Sequence, residues 1–252
     1  MCETCGCGIV PEHNKKENHI SGHVHDHEHE YDHDHEDEPG RIIEVRKDIL
    51  HDNAFKAERN RGFFEARKIR CYNIVGSPGS GKTALLERTI LDRKHSIGIS
   101  VIEGDQEGSL DAVKLRTAGA ETLQVNTGYG CHLDAGMVHH ALNHLSLQNE
   151  NILFIENVGN LVCPTLFDLG EEKRVVVYSV TEGEDKPLKY PYMFRSAQAC
   201  ILTKTDLLPY LNLKLDTYIE HIRRTHPEIS IIAVSVRTGE GLDHWYQWLG
   251  IL

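Results

Sequence analysis

Residues 76–83 read Gly76-Ser77-Pro78-Gly79-Ser80-Gly81-Lys82-Thr83, the spacing Gly-x4-Gly-Lys-Ser/Thr. Glycines let successive backbone N–H groups turn inward around phosphate oxygens, at the positive end of a following helix. Lys82 would neutralise β- and γ-phosphate oxygens, and the Thr83 hydroxyl would sit on Mg²⁺, with Ala84 the next residue at the phosphates. The pattern reads as a nucleotide site, because an apolar run precedes it and a helix-forming run follows.

The base is read from Thr203-Lys204-Thr205-Asp206, which has the form of the Asn-Lys-x-Asp motif of GTPases. A carboxylate at Asp206 accepts hydrogen bonds from guanine N1–H and the 2-amino group, which adenine cannot supply, and the Lys204 stem can lie along the base. Thr203 stands where Asn is usual, so one polar tie is altered. Ser235-Val236-Arg237 is placed like the loop that offers a backbone N–H to guanine O6. GTP is therefore favoured over ATP. A third element, Glu156-Asn157-Val158-Gly159, supplies an acid for Mg²⁺ and a glycine N–H for the γ-phosphate. Asp105 would hold an Mg²⁺-bound water or position the attacking one; a helix N-cap or turn role is the alternative. Lys82, Asp105 and Glu156 are thus the expected catalytic groups, with Thr83, Asp105 and Glu156 at Mg²⁺.

Thiols lie beside this switch. Cys131-His132 is expected to begin a helix, which would lower the thiol pKa, and Cys163 lies seven residues after Glu156. Cysteine with histidine suits zinc or nickel, but two Cys and one His leave a tetrahedron one donor short; water or a second subunit would complete it, and inert buried cysteine is the alternative. His140 and His144 share a helical face and read as solvent-exposed, while Cys71 and Cys200 fall in strands and read as core. At the N-terminus, Cys2, Cys5 and Cys7 place three thiols within six residues. Removal of Met1 would expose an α-amine of pKa about 8 as a fourth donor, a set suited to planar Ni(II); half a zinc ribbon or a redox pair is the alternative. His13, His19, His23, His25, His27, His29, His33 and His35 follow, mostly alternating with acids, in a pattern that binds transition metals weakly.

These groups need a scaffold. Residues 71–75, 97–102, 122–125, 152–155, 175–180, 199–202 and 229–234 are short apolar runs that read as strands. Helices are expected at 42–69, 82–92, 110–118, 132–147, 213–224 and 242–249, with Val45, Ile49 and Phe55 on the buried side of the first. Alternation of this kind implies an α/β fold with a mostly parallel sheet flanked by helices. Residues 11–40 offer only Ile20, Val24 and Tyr31 as sizeable apolar groups and are expected to be disordered. The chain thus divides into a metal-binding segment at 1–10, a His-rich acidic tail at 11–40 and a GTPase domain at 41–252.

Composition excludes several classes. Of the formal charge of −11 over 252 residues, residues 1–40 carry −9, so the body is nearly neutral and unsuited to nucleic acid. No apolar run approaches the roughly 18 residues of a membrane span, and the N-terminus lacks the features of a secretory signal. Seven cysteines in such a chain suit metal chemistry better than a disulfide framework. A cytoplasmic location is expected.

The N-terminal Cys-x-x-Cys-Gly-Cys, the loop at Gly76, Cys-His-Leu-Asp-Ala-Gly-Met-Val from Cys131, Glu-Asn-Val-Gly-Asn-Leu-Val-Cys-Pro from Glu156 and Thr-Lys-Thr-Asp-Leu-Leu-Pro-Tyr from Thr203 together resemble the HypB family of nickel-handling GTPases of nickel–iron hydrogenase maturation. The resemblance covers residues 1–8 and about 41–252. It implies the dimerising SIMIBI branch of P-loop NTPases, which includes the urease accessory GTPase. It further implies GTP hydrolysis to GDP, GTP-favoured homodimers, and nickel transfer with a HypA-type metallochaperone to the hydrogenase large subunit. On the same resemblance Cys2, Cys5 and Cys7 form a tight nickel site, and Cys131, His132 and Cys163 a switch-linked Zn/Ni site shared across the dimer. A storage protein for nickel or zinc with incidental nucleotide turnover is the rival; a small-molecule kinase is disfavoured by the guanine tetrad.

Overall fold

The structure is a computed structural model that describes residues 39–252, with side chains from residue 48 onward. The expected disorder of the tail, the Cys2/Cys5/Cys7 site and the histidines from His13 to His35 lie outside the described residues. Residues Leu50–Leu252 form one compact unit, built on seven parallel strands in the order β3-β2-β4-β1-β5-β6-β7. The strands are β1 Arg70–Val75, β2 Ile99–Asp105, β3 Glu121–Asn126, β4 Ile152–Glu156, β5 Lys173–Ser179, β6 Ala199–Thr203 and β7 Ser230–Ala233. Each overlaps an apolar run of the sequence, as a sheet buried on both faces requires.

Helices cover both faces. On one, α2 (Lys82–Arg93), α3 (Leu110–Ala118) and α9 (Leu242–Leu249) bury Leu85, Leu86, Leu115 and Trp245 against Tyr72, Ile74, Val101 and Phe154. On the other, α1 (Pro39–Arg67) and α4 (Ala135–Leu142) bury Phe64, Val138 and Ala141 against Cys71, Ile102 and Leu153. Beside them α6 (Pro191–Arg195) and α8 (Leu215–Thr225) cover Val75, Val176 and Cys200. Two further single-turn helices, α5 (Lys186–Lys189) and α7 (Leu208–Leu211), complete the set; α5, α6 and α7 have no counterpart among the expected helices. No helix of the described residues is long and apolar enough to cross a membrane. Chain order reverses around β1: β2 lies beyond β4 on one side, and β5 on the other. That opens a crevice at the C-terminal ends of the central strands, where α/β sheets bind ligands.

Two expectations about helices are corrected. Ile49 and Phe55 are 41% and 67% exposed, and the side chain of Val45 lies outside the described set. The buried side of α1 is instead Asn53, Ala57, Asn60 and Phe64, spaced as one helical stripe. The two amides earn their burial by bonding loop backbone. Asn53 accepts from Ala135 N at 2.9 Å and donates to Asp168 O at 2.8 Å, while Asn60 donates to Ala135 O and Leu169 O. The helix expected from residue 132 begins only at Ala135, because the Asp134 carboxylate caps it by accepting from Met137 N at 2.7 Å. Cys131 and His132 therefore precede the helix, and the helix-start argument for a lowered thiol pKa does not hold.

Candidate nucleotide and metal sites

The loop from Gly76 to Thr83 joins β1 to α2 at the centre of the sheet. Gly76 has φ +153°, and a Cβ there would lie 2.3 Å from the Val177 carbonyl oxygen, so only glycine lets β5 approach. The next strand end meets the same loop: a Cβ on Gly159 would come within 2.9 Å of Pro78, and Asn160 pairs with Gly76. Lys82 is buried, with Nζ donating to the carbonyls of Gly76 and Ser77 at 3.3 and 3.1 Å, and burial holds its pKa below the ordinary lysine value. Lys186, not singled out in the sequence, donates to Ser77 Oγ at 2.9 Å.

A cleft of about 500 Å³ opens in front of the loop, lined by Pro78, Gly79, Gly81 to Ala84, Asp105, Asp111, Lys114 and residues 156–159. Four acids face it. Parallel pairing of β2 with β4 sets Glu103 beside Glu156 on the α2 side of the sheet. Burial, reinforced by Glu156 and Asp105, pushes the Glu103 carboxyl up to about 8. Burial likewise pushes Glu156 up to about 7, against the opposing pull of Lys82 and Thr83. Thr83 Oγ lies 2.7 Å from Glu156 and 3.1 Å from Asp111. One hydroxyl proton cannot serve two carboxylates at once, so Thr83 is shared between them. Glu103 Oε2 and Glu156 Oε2 are buried without a hydrogen-bond partner. Orphaned hard oxygens around a threonine hydroxyl fit a divalent cation such as Mg²⁺. Asp105 lines the same cleft and accepts from Gln106 N at 2.7 Å, while the N-cap of α3 is Ser109. Asp111, in the first turn of α3, was not identified from sequence; Glu103 was signalled only as an acid inside an apolar strand.

The residues expected to read the base lie on the β6–β7 side of the loop. Thr203 is buried and donates from Oγ1 to Ser80 O at 2.6 Å, so the threonine in the usual asparagine position ties this strand end to the phosphate loop. Lys204, in the left-handed region at φ 61°, donates to Gly79 O at 2.8 Å. Asp206 accepts from Ser235 Oγ at 2.8 Å, which aims its carboxylate; Ser235 Oγ in turn accepts from Thr238 N. Val236 is partly buried against the core and its carbonyl accepts from Arg88, while Arg237 is exposed.

On the opposite side of β4, Cys131, His132 and Cys163 converge with their donor atoms all within 4.8 Å of one another. Cys131 Sγ lies 3.6 Å from His132 Nδ1, and Asn160 Nδ2 lies 3.7 Å from Cys163 Sγ. Both cysteines are buried. The His132 ring stacks on Phe167 at 3.9 Å between centroids, and burial lowers its pKa, favouring the neutral ring that ligates metal. Two sulfurs and an imidazole at this spacing suit a borderline-soft ion such as nickel or zinc. His140 and His144 are exposed and pair with each other, ring centroids 4.9 Å apart, outside the triad. Cys71 and Cys200 are core residues, as expected.

The family described as CobW/HypB/UreG, nucleotide-binding domain, matches residues 70–233. The chain is 54% identical over 209 residues to the hydrogenase maturation factor HypB of Escherichia coli K12, covering 83% of this chain and 72% of that one. Two solved structures superpose with a TM-score of 0.75 at 37% identity over 79% of this chain. One is HypB from Archaeoglobus fulgidus, of which 98% is covered. The other is HypB from Helicobacter pylori in complex with nickel, of which 93% is covered.

Proposed function

Given that this chain belongs to the HypB hydrogenase maturation factors of the CobW/HypB/UreG family of P-loop GTPases, we propose that it uses GTP to control nickel held by Cys131, His132 and Cys163. One observation carries this reading. Residues 156–163 start at the phosphate cleft and end at the thiols, so one eight-residue segment belongs to both sites.

In the nucleotide half, backbone N–H groups of the loop and Lys82 bind the β- and γ-phosphates, with Asp206 reading guanine and Thr203 and Ser235 holding the base-reading residues in place. Thr83 and Glu156 would hold Mg²⁺, which would supply charge neutralisation at the phosphates. Asp105 orients the attacking water. Gly159, whose Cα side is packed against Pro78, offers its N–H to the γ-phosphate and draws residues 158–163 with it. Turnover by the chain alone is slow, because no arginine among the described residues lines the cleft to stabilise the transition state.

In the metal half, GTP brings two copies together and fills the fourth donor position of the triad across the dimer; hydrolysis loosens Cys163 and releases the ion. The nickel is cargo, passed with a HypA-type metallochaperone to the hydrogenase large subunit in the cytoplasm. Zn²⁺ occupies the same donors as an alternative ion, and Cys2, Cys5 and Cys7 form a separate nickel site.

The test is nickel titration of the full chain carrying Cys2, Cys5 and Cys7 as serine, once with GDP and once with a β,γ-imido GTP analogue. Nickel–thiolate charge-transfer absorption then reports on the triad, since Cys71 and Cys200 are sealed in the sheet. A nucleotide-dependent affinity that vanishes in Cys163→Ala supports the reading. Identical curves would separate the two chemistries and favour metal storage.

A further inference from the structure

Asn73 is an amide in the middle of β1, the central strand, and it is fully buried. Its neighbours Cys71 and Val75 on the same face are apolar and belong to the core clusters there. An aliphatic side chain at 73 would fill this position without polar atoms to satisfy. The amide instead uses both of its ends. Its Oδ1 accepts from Asn157 Nδ2 at 3.2 Å, and its Nδ2 donates to Glu171 Oε1 at 3.0 Å.

Each partner leads to one ligand-bearing segment of the triad. Asn157 directly follows Glu156, and its Oδ1 accepts from Leu133 N at 3.1 Å, the backbone immediately after His132, and from Val158 N at 3.0 Å. Glu171 is clamped by buried Arg174, whose Nε and Nη2 donate to the same Oε1 at 3.1 and 2.9 Å. Arg174 also holds the carbonyls of Thr165 and Phe167 at 3.3 and 2.9 Å. Those residues follow Cys163, and Phe167 is the ring stacked on His132. One buried hydrogen-bonded chain therefore runs from the residue after the switch acid, through the central strand, to both sides of the metal donors. An unpaired buried amide is costly, so a shift of Val158 and Gly159 that broke either Asn157 bond would press the remaining members of the chain to follow.

We propose that Asn73 is the positioning residue that transmits the nucleotide state from Asn157 to the Cys131/His132/Cys163 donors. The inference rests on the nucleotide-controlled nickel reading above and adds the route. Asn73 lines no part of the phosphate cleft and offers no metal donor, so its removal separates coupling from binding.

The experiment is the same charge-transfer titration in the full chain with Cys2, Cys5 and Cys7 as serine, comparing Asn73 with Asn73→Ser and Asn73→Leu. Three quantities are read: nickel affinity without nucleotide, GDP affinity without nickel, and the ratio of nickel affinities with GDP and with the imido analogue. Thermal unfolding checks that each variant is folded, and the serine variant serves if leucine does not fit. With Asn73 the ratio is expected within the range of about 5–150 common for coupled sites. In the variants the two separate affinities stay within about threefold, while the ratio falls to within about twofold of one. A folded variant that keeps the parent ratio overturns the role of Asn73 and leaves the functional reading standing. Nickel affinity lost in every nucleotide state assigns Asn73 a purely structural part and also overturns it. A parent chain with no ratio overturns the functional reading itself, and the inference with it.

Discussion

Replacing Glu156 by glutamine should make the nucleotide-free protein more stable above neutral pH while removing its ability to hold Mg²⁺ with GTP. The carboxyl is only 4% exposed, and burial raises its pKa to about 7 from an unfolded value near 4.5. Between those values the native chain keeps a proton that the unfolded chain releases. Stability contributed by the neutral carboxyl is therefore complete below about pH 4.5 and is lost as pH rises through about 7. Each tenfold change in proton affinity is about 1.4 kcal/mol, so the full effect is about 3 kcal/mol. Glutamine keeps the shape and stays neutral. Other groups titrate in this range, so the informative quantity is the difference between the two proteins: about 1 kcal/mol at about pH 5, rising to about 3 kcal/mol in favour of Glu156→Gln at about pH 8.5. Urea unfolding in EDTA, followed by circular dichroism at both pH values, measures it. A difference independent of pH, or a variant less stable at the higher pH, would refute the claim that Glu156 is held neutral by its surroundings.

Two further outcomes follow from the site geometry. Lys82→Ala should abolish GTP hydrolysis, measured by phosphate release, yet leave nickel binding at Cys2, Cys5 and Cys7 intact; parallel loss of both would contradict two separable sites. Asp206→Asn replaces a carboxylate acceptor with an amide donor, which suits the 2-oxo group of xanthine and not the 2-amino group of guanine. Loss of charged hydrogen bonds costs about 1.5–3 kcal/mol each, so GDP should bind roughly 10- to 100-fold more weakly and xanthosine diphosphate more tightly. Calorimetric titration of both nucleotides checks the exchange, and an unchanged preference for GDP would remove Asp206 from base recognition.

The parts of this molecule legible in sequence are those whose determinants are local. The phosphate loop is eight contiguous residues between a strand and a helix, and each strand is a run of apolar residues that needs no partner to be recognised. Thr203 shows the limit. Its type was readable as a departure from asparagine, but its 2.6 Å bond to the Ser80 carbonyl, which ties the strand end to the phosphate loop, joins residues 123 apart. The buried side of α1 failed for a related reason. Apolar type pointed to Ile49 and Phe55, whereas the neighbouring loops at 135 and 168–169 present backbone groups that need Asn53 and Asn60. Burial there follows hydrogen-bond demand, which periodicity does not encode.

The acids of the cleft and the polar chain behind it make the same point about charge. Glu103 meets Glu156 because β2 and β4 are neighbours in the sheet although not in sequence, and the Glu156 charge adds to the burial that raises the Glu103 pKa. Nearer the triad, the ion pair of Glu171 and Arg174 lies at the edge of the network, where carbonyls of 165 and 167 help to satisfy it. Between the two stands an uncharged amide. A charged group at 73 would face desolvation beside an already buried carboxylate and would perturb the titration of Glu156, one register position along in the neighbouring strand. Asparagine adds directionality without charge, so the nucleotide and metal sites can be linked mechanically while the electrostatics that tune each remain separate.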